Sequence, residues 1–280
     1  MTRKLIPVAI VYDFDGTLSP GNIQEYEFVP AIKMTSRKFW DEVDKSSKDH
    51  GADPILAYMY LMLKKAQAAN VKVQKEDFGK YGKSVALFDG VDDWFDRINI
   101  YAKSKGIRAE HFIISSGIRE MIAGATIAKN FTAIFASSFM YDQHNVAVWP
   151  AIAINYTTKT QYLFRINKDA LDVHDNKKIN EFLPMEERPI PFKRMIFVGD
   201  GETDIPCFSL VKSQGGHSIA VYKPKTKGAK GKADKLVKDG RVNFVVPADY
   251  SDDSIIDTTV KAIIDKIASD CELDFLGKQE

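Results

Sequence analysis

The sequence predicts an α/β fold, with a Rossmann-like three-layer core built around a central parallel sheet. Short apolar runs bounded by polar or turn residues recur along the chain, as buried parallel strands do. Helical patterns lie between most of these runs, which is the order of right-handed strand-helix-strand units. The chain has 280 residues, 45% of them hydrophobic, which is enough for one core domain and a substantial insertion.

The apolar runs define the strands of the predicted sheet. These strands are Val8–Tyr12, Phe112–Ser115, Ala133–Ala136, Met195–Val198, Ser218–Val221 and Asn243–Val246. Helical patterns are predicted over Ile118–Lys129 and Thr160–Phe182. Residues 137–156 interrupt the alternation, because two apolar stretches flank the polar segment Asp142–Asn145, as in a β-hairpin. We expect this hairpin near the edge of the sheet.

The longest interruption is the interval 19–108, between the first and second strands. Its apolar residues, from Phe39 to Trp94, recur at spacings near three and four. This spacing favours amphipathic helices packed on one another. The sequence therefore predicts a helical cap domain over 19–108 and a core domain over 1–18 and 109–280.

Composition and charge exclude several classes of function. The chain has 39 Lys and Arg against 38 Asp and Glu, a net charge of +1, so no overall field attracts nucleic acid or an acidic membrane. The lysine-rich segment Lys223–Lys235 is predicted to be a solvated loop and helix start.

No run reaches the roughly 20 apolar residues of a membrane span, and Asp13 interrupts the first apolar stretch before it reaches signal-peptide length. Cys207 and Cys271 are too few for a disulfide framework. We expect a cytoplasmic, soluble protein whose partners include neither a membrane nor a nucleic acid polymer.

Two carboxylates separated by one residue follow the first strand. In Asp13-Phe14-Asp15-Gly16-Thr17 the buried run stops abruptly, and glycine lets the chain turn there. Side chains alternate between the two faces within a strand, but the following loop can direct both carboxylates to one site. The sequence therefore predicts a catalytic or metal-binding site at this end of the sheet.

A second acidic cluster, Gly199-Asp200-Gly201-Glu202-Thr203-Asp204, follows the strand that ends at Val198. Ligands of open α/β sheets bind beyond the carboxyl ends of the strands, where the strand order reverses, so the two clusters are expected to converge. Gathered carboxylates repel one another unless a hard cation lies among them. Mg²⁺ fits better than Zn²⁺, because the ligands are oxygens and no cluster of Cys or His accompanies them.

On these two motifs together, the sequence resembles the haloacid dehalogenase (HAD) superfamily. The interval 19–108 corresponds to the C1 type of cap in that superfamily. The end of the second strand resembles the motif whose Ser or Thr binds the transferring phosphoryl group, with Ser115 as that residue and Ser116 as its neighbour. Lys159 resembles the lysine of the remaining motif, and Lys168 is the alternative.

The resemblance implies a role for each acidic residue. Asp13 is the expected nucleophile, which attacks phosphorus to form an aspartyl-phosphate, and Asp15 is the expected general acid and base. Mg²⁺ is assigned to the carboxylates of Asp13 and Asp200 and to the backbone carbonyl of Asp15. Asp204 is expected to bind the metal through water or to orient its ligands.

The phosphoryl group and the rest of the substrate need further contacts. The resemblance assigns the phosphoryl group to Ser115 and Lys159, because phosphoryl transfer depends chiefly on positioning and electrostatic stabilisation. The candidate substrate-binding residues are Thr17, Asn22, Gln24, Glu25, Ser116, Gly117 and Arg119. The expected substrate is a small phosphorylated metabolite.

Asp15 favours hydrolysis of a phosphate ester, since haloacid dehalogenases proper lack a carboxylate at this place. Phosphoserine phosphatases resemble the chain in motif order, but their glutamate nine residues after the nucleophile is Asn22 here, and Glu25 is the alternative carboxylate. Three other functions remain compatible with these residues. One is a pyrimidine 5′-nucleotidase-like activity, with Trp40, Tyr26 or Phe28 stacked on a base. Another is transfer of the phosphoryl group to a second hydroxyl, as in a mutase, and the last is a non-catalytic protein of this fold that binds a phosphorylated ligand.

Overall fold

The computed structural model describes residues 5–277, which form a sheet of seven strands between layers of helices. The strands are β1 (Ile6–Tyr12), β2 (Ile107–Ile118), β3 (Phe131–Tyr141), β4 (Ala147–Ile152), β5 (Met195–Gly199), β6 (His217–Tyr222) and β7 (Phe244–Pro247). Residues 1–4 and 278–280 of the predicted core domain lie outside the described residues.

Helices connect the strands and fill the interval between β1 and β2. That interval holds α1 (Ile23–Tyr26), α2 (Phe28–Ala31), α3 (Ser36–His50), α4 (Pro54–Ala69), α5 (Lys75–Gly82) and α6 (Val91–Ser104). The later helices are α7 (Arg119–Gly124), α8 (Lys159–Asn167), α9 (Asn176–Asn180), α10 (Ile205–Ser213), α11 (Ala229–Lys238) and α12 (Ile255–Leu276).

The strand order β4-β3-β2-β1-β5-β6-β7 places β1 in the middle of the sheet. Neighbouring strands are parallel, except that β4 runs antiparallel to β3 at the edge. The chain proceeds from β1 toward β3 on one side and then continues from β1 through β5 on the other. The strand order therefore reverses at β1, and crevices at such points bind ligands in open α/β sheets. The predicted fold class is confirmed.

Both faces of the central strand are buried, which explains its nearly continuous apolar sequence. Val8, Ile10 and Tyr12 pack into one hydrophobic cluster, with residues of α6 and α12. Ala9 and Val11 pack into a second cluster on the opposite face, with residues of α8 and α10. The core thus has three layers, and β1 is fixed from both sides.

The predicted hairpin is present at the sheet edge, and its first strand is a continuation of β3. The prediction ended this strand at Ala136, whereas the strand runs to Tyr141 and pairs there with β4. Phe139 is buried and Met140 is exposed, so the alternation typical of a half-covered strand begins where the fully buried part ends.

Two predicted helical segments are shorter in the structure. Ile118 belongs to β2, and α7 ends at Gly124 instead of continuing to Lys129. The segment predicted over 160–182 is divided into α8 and α9. The Arg165 guanidinium of α8 donates hydrogen bonds to the irregular backbone between the two helices, at the carbonyls of Ala170, Asp172 and Val173.

The last helix of the interval 19–108 packs on the sheet. Trp94 of α6 donates a hydrogen bond from Nε1 to the Tyr12 hydroxyl of β1, at 2.8 Å. Arg97 of the same helix lies 3.2 Å from the Asp257 carboxylate of α12. Helix α6 is thus the crossover connection that leads back to β2, while α1, α3 and α4 border the cleft at the carboxyl end of the sheet.

Candidate active site

A cavity of about 550 Å³ lies beyond the carboxyl ends of β1, β2 and β5. Its inner wall contains Asp13 and Asp15 after β1, Ser115 near the end of β2, and Asp200 after β5. Residues of α1, α3 and α4 form its outer wall. The structure therefore brings both acidic motifs and the predicted serine to one site at the point where strand order reverses.

A buried lysine joins the two acidic motifs. Lys159, at the start of α8, has its Nζ 2.8 Å from Asp13 Oδ2 and 2.7 Å from Asp204 Oδ1. Burial alone lowers the pKa of this lysine, but the two carboxylates raise it more, so the ammonium is retained. Lys159 therefore fixes one oxygen of Asp13 and compensates part of the negative charge of the site.

Asp204 is a buried organiser of the second acidic loop. Its Oδ2 accepts hydrogen bonds from the backbone nitrogens of Asp200 and Gly201, at 3.1 and 3.3 Å. Its Oδ1 already accepts from Lys159. Burial raises the pKa of Asp204 to about 6, and Lys159 opposes the rise. Both oxygens thus hold protein groups in place, which suits a residue that orients the site.

Asp200 presents its carboxylate to the cleft without a hydrogen-bond donor from residues 5–277. The backbone of Gly16, at a φ of +77°, passes so close that a Cβ there would lie 2.2 Å from Asp200 Oδ2. The loss of water around the carboxyl group raises the pKa of Asp200, and the negative charges of Asp204 and Asp13 raise it further. Only glycine allows the two motif loops to approach in this way.

The carboxylates form a group that suits a hard divalent cation. One oxygen from each of Asp13, Asp200 and Asp204 lies within 4.8 Å of the others. The donors are all carboxylate oxygens, the ligands that Mg²⁺ prefers, without the nitrogen or sulfur ligands of a zinc site. Among the described residues only Lys159 pairs with these carboxylates, so the gathered negative charge fits an additional cation.

Asp15 differs from Asp13 in its surroundings. Its Oδ1 accepts a hydrogen bond from the Ile23 backbone nitrogen, at 2.8 Å. Burial, followed by the charge of Asp13, raises the pKa of Asp15 to about 8. A carboxyl group that keeps its proton near neutral pH is suited to act as an acid beside a nucleophile.

The end of β2 closes the site near Asp15. Ser115 is buried, and its Oγ accepts a hydrogen bond from the Gly117 nitrogen at 3.0 Å. A Cβ on Gly117 would lie 3.1 Å from Asp15 Oδ2 and 3.4 Å from Ser115 Oγ. Ser116 also lines the cavity, and its carbonyl accepts a hydrogen bond from the Tyr58 hydroxyl of α4 at 2.5 Å.

Some predicted residues lie away from the cavity. The Lys168 ammonium donates to the carbonyls of Ile179 and Glu181, so Lys168 supports the segment around α9. Arg119 pairs with Glu120 at 3.0 Å and is absent from the cavity wall. Thr17 is fully buried, and its carbonyl accepts a hydrogen bond from Tyr250.

The predicted residues of α1 do reach the cavity. Glu25 Oε1 accepts hydrogen bonds from Asn22 Nδ2 at 2.6 Å and from Trp40 Nε1 at 2.5 Å. Gln24 also lines the cavity, and its side chain is 2% exposed. Trp40 thus fixes a carboxylate, whereas the sequence suggested stacking on a base.

Sequence reasoning missed two residues of the outer wall. Asp44 of α3 and Tyr58 of α4 line the cavity. Asp44 follows Trp40 by four residues, which places both on one helix face, so the helical spacing offered a signal for Asp44. No such signal pointed to Tyr58, because an aromatic residue at this position of a helix is equally typical of the hydrophobic core.

Comparison with known proteins decides the family. The model of the haloacid dehalogenase-like hydrolase family matches residues 10–209, which is most of the chain and includes both acidic motifs. The chain belongs to this family. The cavity at the end of β1 is lined by residues of both acidic motifs within the matched range and is the candidate active site of this HAD-like hydrolase. Its acidic cluster could hold a divalent metal.

One relative and several solved structures are similar to the chain over most of its length. An uncharacterized protein of Borreliella burgdorferi is 26% identical over 271 residues, covering 87% of this chain and 92% of the relative. A HAD family hydrolase from Salmonella enterica serovar Typhi has a TM-score of 0.56 at 16% identity, over 86% of this chain and 68% of that one. A substrate-bound phosphoserine phosphatase has a TM-score of 0.51 at 16% identity, over 85% of this chain and 92% of that one. These structures share the fold of the HAD-like hydrolase.

Two further sequence expectations can be compared with the structure. Within residues 5–277, no helix has both the length and the apolar character that crossing a membrane requires. Cys207, which is buried, and Cys271, which is partly buried, are both free thiols. The second finding agrees with the expected lack of a disulfide framework.

Proposed function

We propose that this HAD-like hydrolase is a Mg²⁺-dependent phosphatase that hydrolyses a small phosphomonoester through an aspartyl-phosphate. The observation that carries the proposal is the pair of carboxyl groups after β1. One, Asp13, is held by Lys159 at 2.8 Å, and the other, Asp15, has its pKa raised to about 8. A nucleophile beside a proton donor is what the reaction needs.

In the first step, an oxygen of Asp13 attacks phosphorus and the bond to the leaving oxygen breaks. Asp15 donates its proton to that oxygen, so that the product leaves as an alcohol. In the second step, Asp15 takes a proton from the attacking water, inorganic phosphate departs and the Asp13 carboxylate is regenerated. Ser115 and Lys159 are proposed to hold the phosphoryl oxygens and limit their movement.

Mg²⁺ would be held by Asp13 and Asp200, with the Asp15 carbonyl as a further ligand and Asp204 orienting the loop. The free carboxylate of Asp200 and the fully bonded carboxylate of Asp204 support this division. A bound divalent cation neutralises negative charge as the phosphate approaches the carboxylates.

The helices of the interval 19–108 are proposed to act as the cap. Helices α1, α3 and α4 border the cavity, so their movement would admit substrate and exclude water during the reaction. Helix α6, which packs on β1 through Trp94, is proposed to remain with the core.

The test is phosphate release from p-nitrophenyl phosphate by wild-type protein and by Asp13→Asn, each with Mg²⁺ and with a chelator. We expect wild-type release to require the metal and Asp13→Asn to lose at least about 1,000-fold in kcat, because the amide is a poor nucleophile. Circular dichroism and thermal unfolding of both proteins check that the fold is retained. Wild-type rates in Asp13→Asn would exclude Asp13 as the nucleophile. The absence of any metal-dependent release from wild type would favour a non-catalytic ligand-binding role.

A further inference from the structure

The charged side chains in the outer wall of the cavity are all acidic. We define this wall as Asn22, Gln24, Glu25, Trp40, Asp44 and Tyr58. It holds two carboxylates and two aromatic rings. None of the described residues that line the whole cavity is a lysine, an arginine or a histidine. The buried ammonium of Lys159 lies on the inner side of the cavity, paired with Asp13 and Asp204.

Glu25 is held in a fixed orientation in this wall. Its Oε1 accepts both the Trp40 Nε1–H and the Asn22 amide, while no described residue donates a hydrogen bond to Oε2. Trp40 packs edge-on against Tyr58 with ring centroids 5.8 Å apart. The carboxylate is therefore pre-oriented and partly desolvated, with one oxygen available to a ligand.

A second polar group of the wall has an amide oxygen without a hydrogen-bond donor. Gln24 lines the cavity and is 98% buried, and its Oε1 accepts no hydrogen bond from residues 5–277. Buried acceptors are normally satisfied, so an amide oxygen without a donor adds to the negative potential of this wall. Carboxylate oxygens, an unsatisfied amide oxygen and aromatic rings share one preference, which is for a cation that carries N–H groups.

We infer that the leaving group of the substrate is an amino alcohol, so that the substrate is a phosphomonoester with an ammonium group and no carboxylate. This inference rests on the proposed phosphatase activity. The ammonium would lie between Glu25 and the rings of Trp40 and Tyr58, with Asp44 adding attraction at the mouth. A carboxylate on the substrate would face Glu25 and Asp44 with no basic side chain to receive it, and such repulsion excludes a competing substrate.

The experiment measures kcat/KM with Mg²⁺ on O-phosphoethanolamine, on 2-hydroxyethyl phosphate, which replaces the ammonium with a hydroxyl, and on O-phosphoserine, which adds a carboxylate. p-Nitrophenyl phosphate reports the basal chemistry. We expect O-phosphoethanolamine to exceed each of the other two alkyl phosphates by about tenfold or more, the contribution of one charge-assisted hydrogen bond.

Variants then locate the selectivity. Glu25→Gln keeps an acceptor for Trp40 and Asn22 and removes only the charge, so the ratio of O-phosphoethanolamine to 2-hydroxyethyl phosphate should fall about tenfold, chiefly through KM. Asp44→Asn should lower the ratio less, because Asp44 is exposed. The matched control is Asp41→Asn, an exposed carboxylate of α3 that lies 3.9 Å from Arg37 and outside the cavity wall, and its ratio should equal that of wild type.

Each result has a defined meaning. Three results would overturn the inference: equal kcat/KM for O-phosphoethanolamine and 2-hydroxyethyl phosphate, a higher kcat/KM for O-phosphoserine, or an unchanged ratio in Glu25→Gln. Metal-dependent turnover of p-nitrophenyl phosphate would still uphold the phosphatase proposal in each case. No metal-dependent release from any of the four compounds would overturn the phosphatase proposal, and the substrate inference with it.

Discussion

Lys159 is the residue whose environment most constrains the site. The side chain is fully buried, and its Nζ lies between carboxylates from two different loops. Taking these charges out of water is costly, and the cost is repaid only while the geometry is complete. The same ammonium fixes the nucleophile and holds Asp204, which in turn holds the Asp200 loop.

We therefore expect Lys159→Met to lower the free energy of unfolding by about 3 kcal/mol at pH 7, the usual cost of leaving a buried charge without its partner. Urea titration of the apo protein measures the change. Lys266→Met is the control, because Lys266 forms an exposed pair with Asp270 within α12 and such pairs contribute little. Equal stability of the two variants would mean that the buried ammonium does not compensate the carboxylates.

Residues of the site differ in how far the sequence could predict them. Asp13, Asp15, Asp200 and Asp204 were predictable as neighbours because each pair lies in one short loop after a strand, and the sheet brings the loops together. The contact of Trp40 with Glu25 depends on the angle at which α3 meets α1. No local pattern encodes that angle, so the orientation of Glu25 emerged only from the structure.

At the scale of elements, the contact between α5 and α7 depends on the absence of side chains. A Cβ on Gly82 would lie 1.8 Å from the Met121 carbonyl oxygen, and one on Gly124 would lie 1.9 Å from the Gly79 carbonyl oxygen. The two helices thus meet backbone to backbone. This contact joins the inserted helices to the segment that follows Ser115 and Ser116.

Gly82→Ala and Gly79→Ala are expected to change stability in opposite directions. The Gly82 variant must push α5 away from α7, and overpacking of this kind costs about 1–3 kcal/mol. At Gly79 the nearest atom to a Cβ is 3.8 Å away, so alanine should stabilise the helix by roughly 0.5–1 kcal/mol. Thermal unfolding of the two variants measures both changes. Destabilisation by Gly79→Ala would contradict the space for a Cβ that the structure shows at Gly79.

The elements were predicted better than their ends. Every predicted strand is present, because fully buried runs are a strong local signal. The break between α8 and α9 was missed, since it depends on Arg165 reaching carbonyls five to eight residues ahead. The helical spacing of this segment gives no sign that the Arg165 side chain hydrogen-bonds to the following loop.

For the whole molecule, a chain of hydrogen bonds connects α6 to the two central strands and is buried at Trp94, Tyr12 and His111. Trp94 Nε1 donates to the Tyr12 hydroxyl at 2.8 Å, and that hydroxyl lies 3.1 Å from His111 Nδ1. His111 Nε2 lies 3.1 Å from Asn99 Oδ1. Each partner is satisfied when the imidazole is neutral, with its proton on Nε2.

Burial lowers the pKa of His111 to about 3, so folding stability should depend on pH. An unfolded histidine takes up a proton near pH 6.5, whereas the folded one does not until about pH 3. Between these values the unfolded state binds more protons, and stability falls as pH falls. The raised pKa values of Asp15 and Asp204 act in the opposite direction, so the effect must be measured as a difference between two proteins.

His111→Gln provides that difference, because glutamine can donate to Asn99 and accept from Tyr12 but does not titrate. Between pH 7 and pH 5, we expect wild type to lose about 2 kcal/mol more unfolding free energy than the variant, the energy of 1.5 pKa units. Urea titrations at both pH values, without Mg²⁺, measure the double difference. Between pH 7 and pH 8 the two proteins should change in parallel, since the histidine is neutral in both states. A parallel change down to pH 5 would mean that the imidazole is protonated inside the fold, and the orientation of its hydrogen bonds would then be wrong.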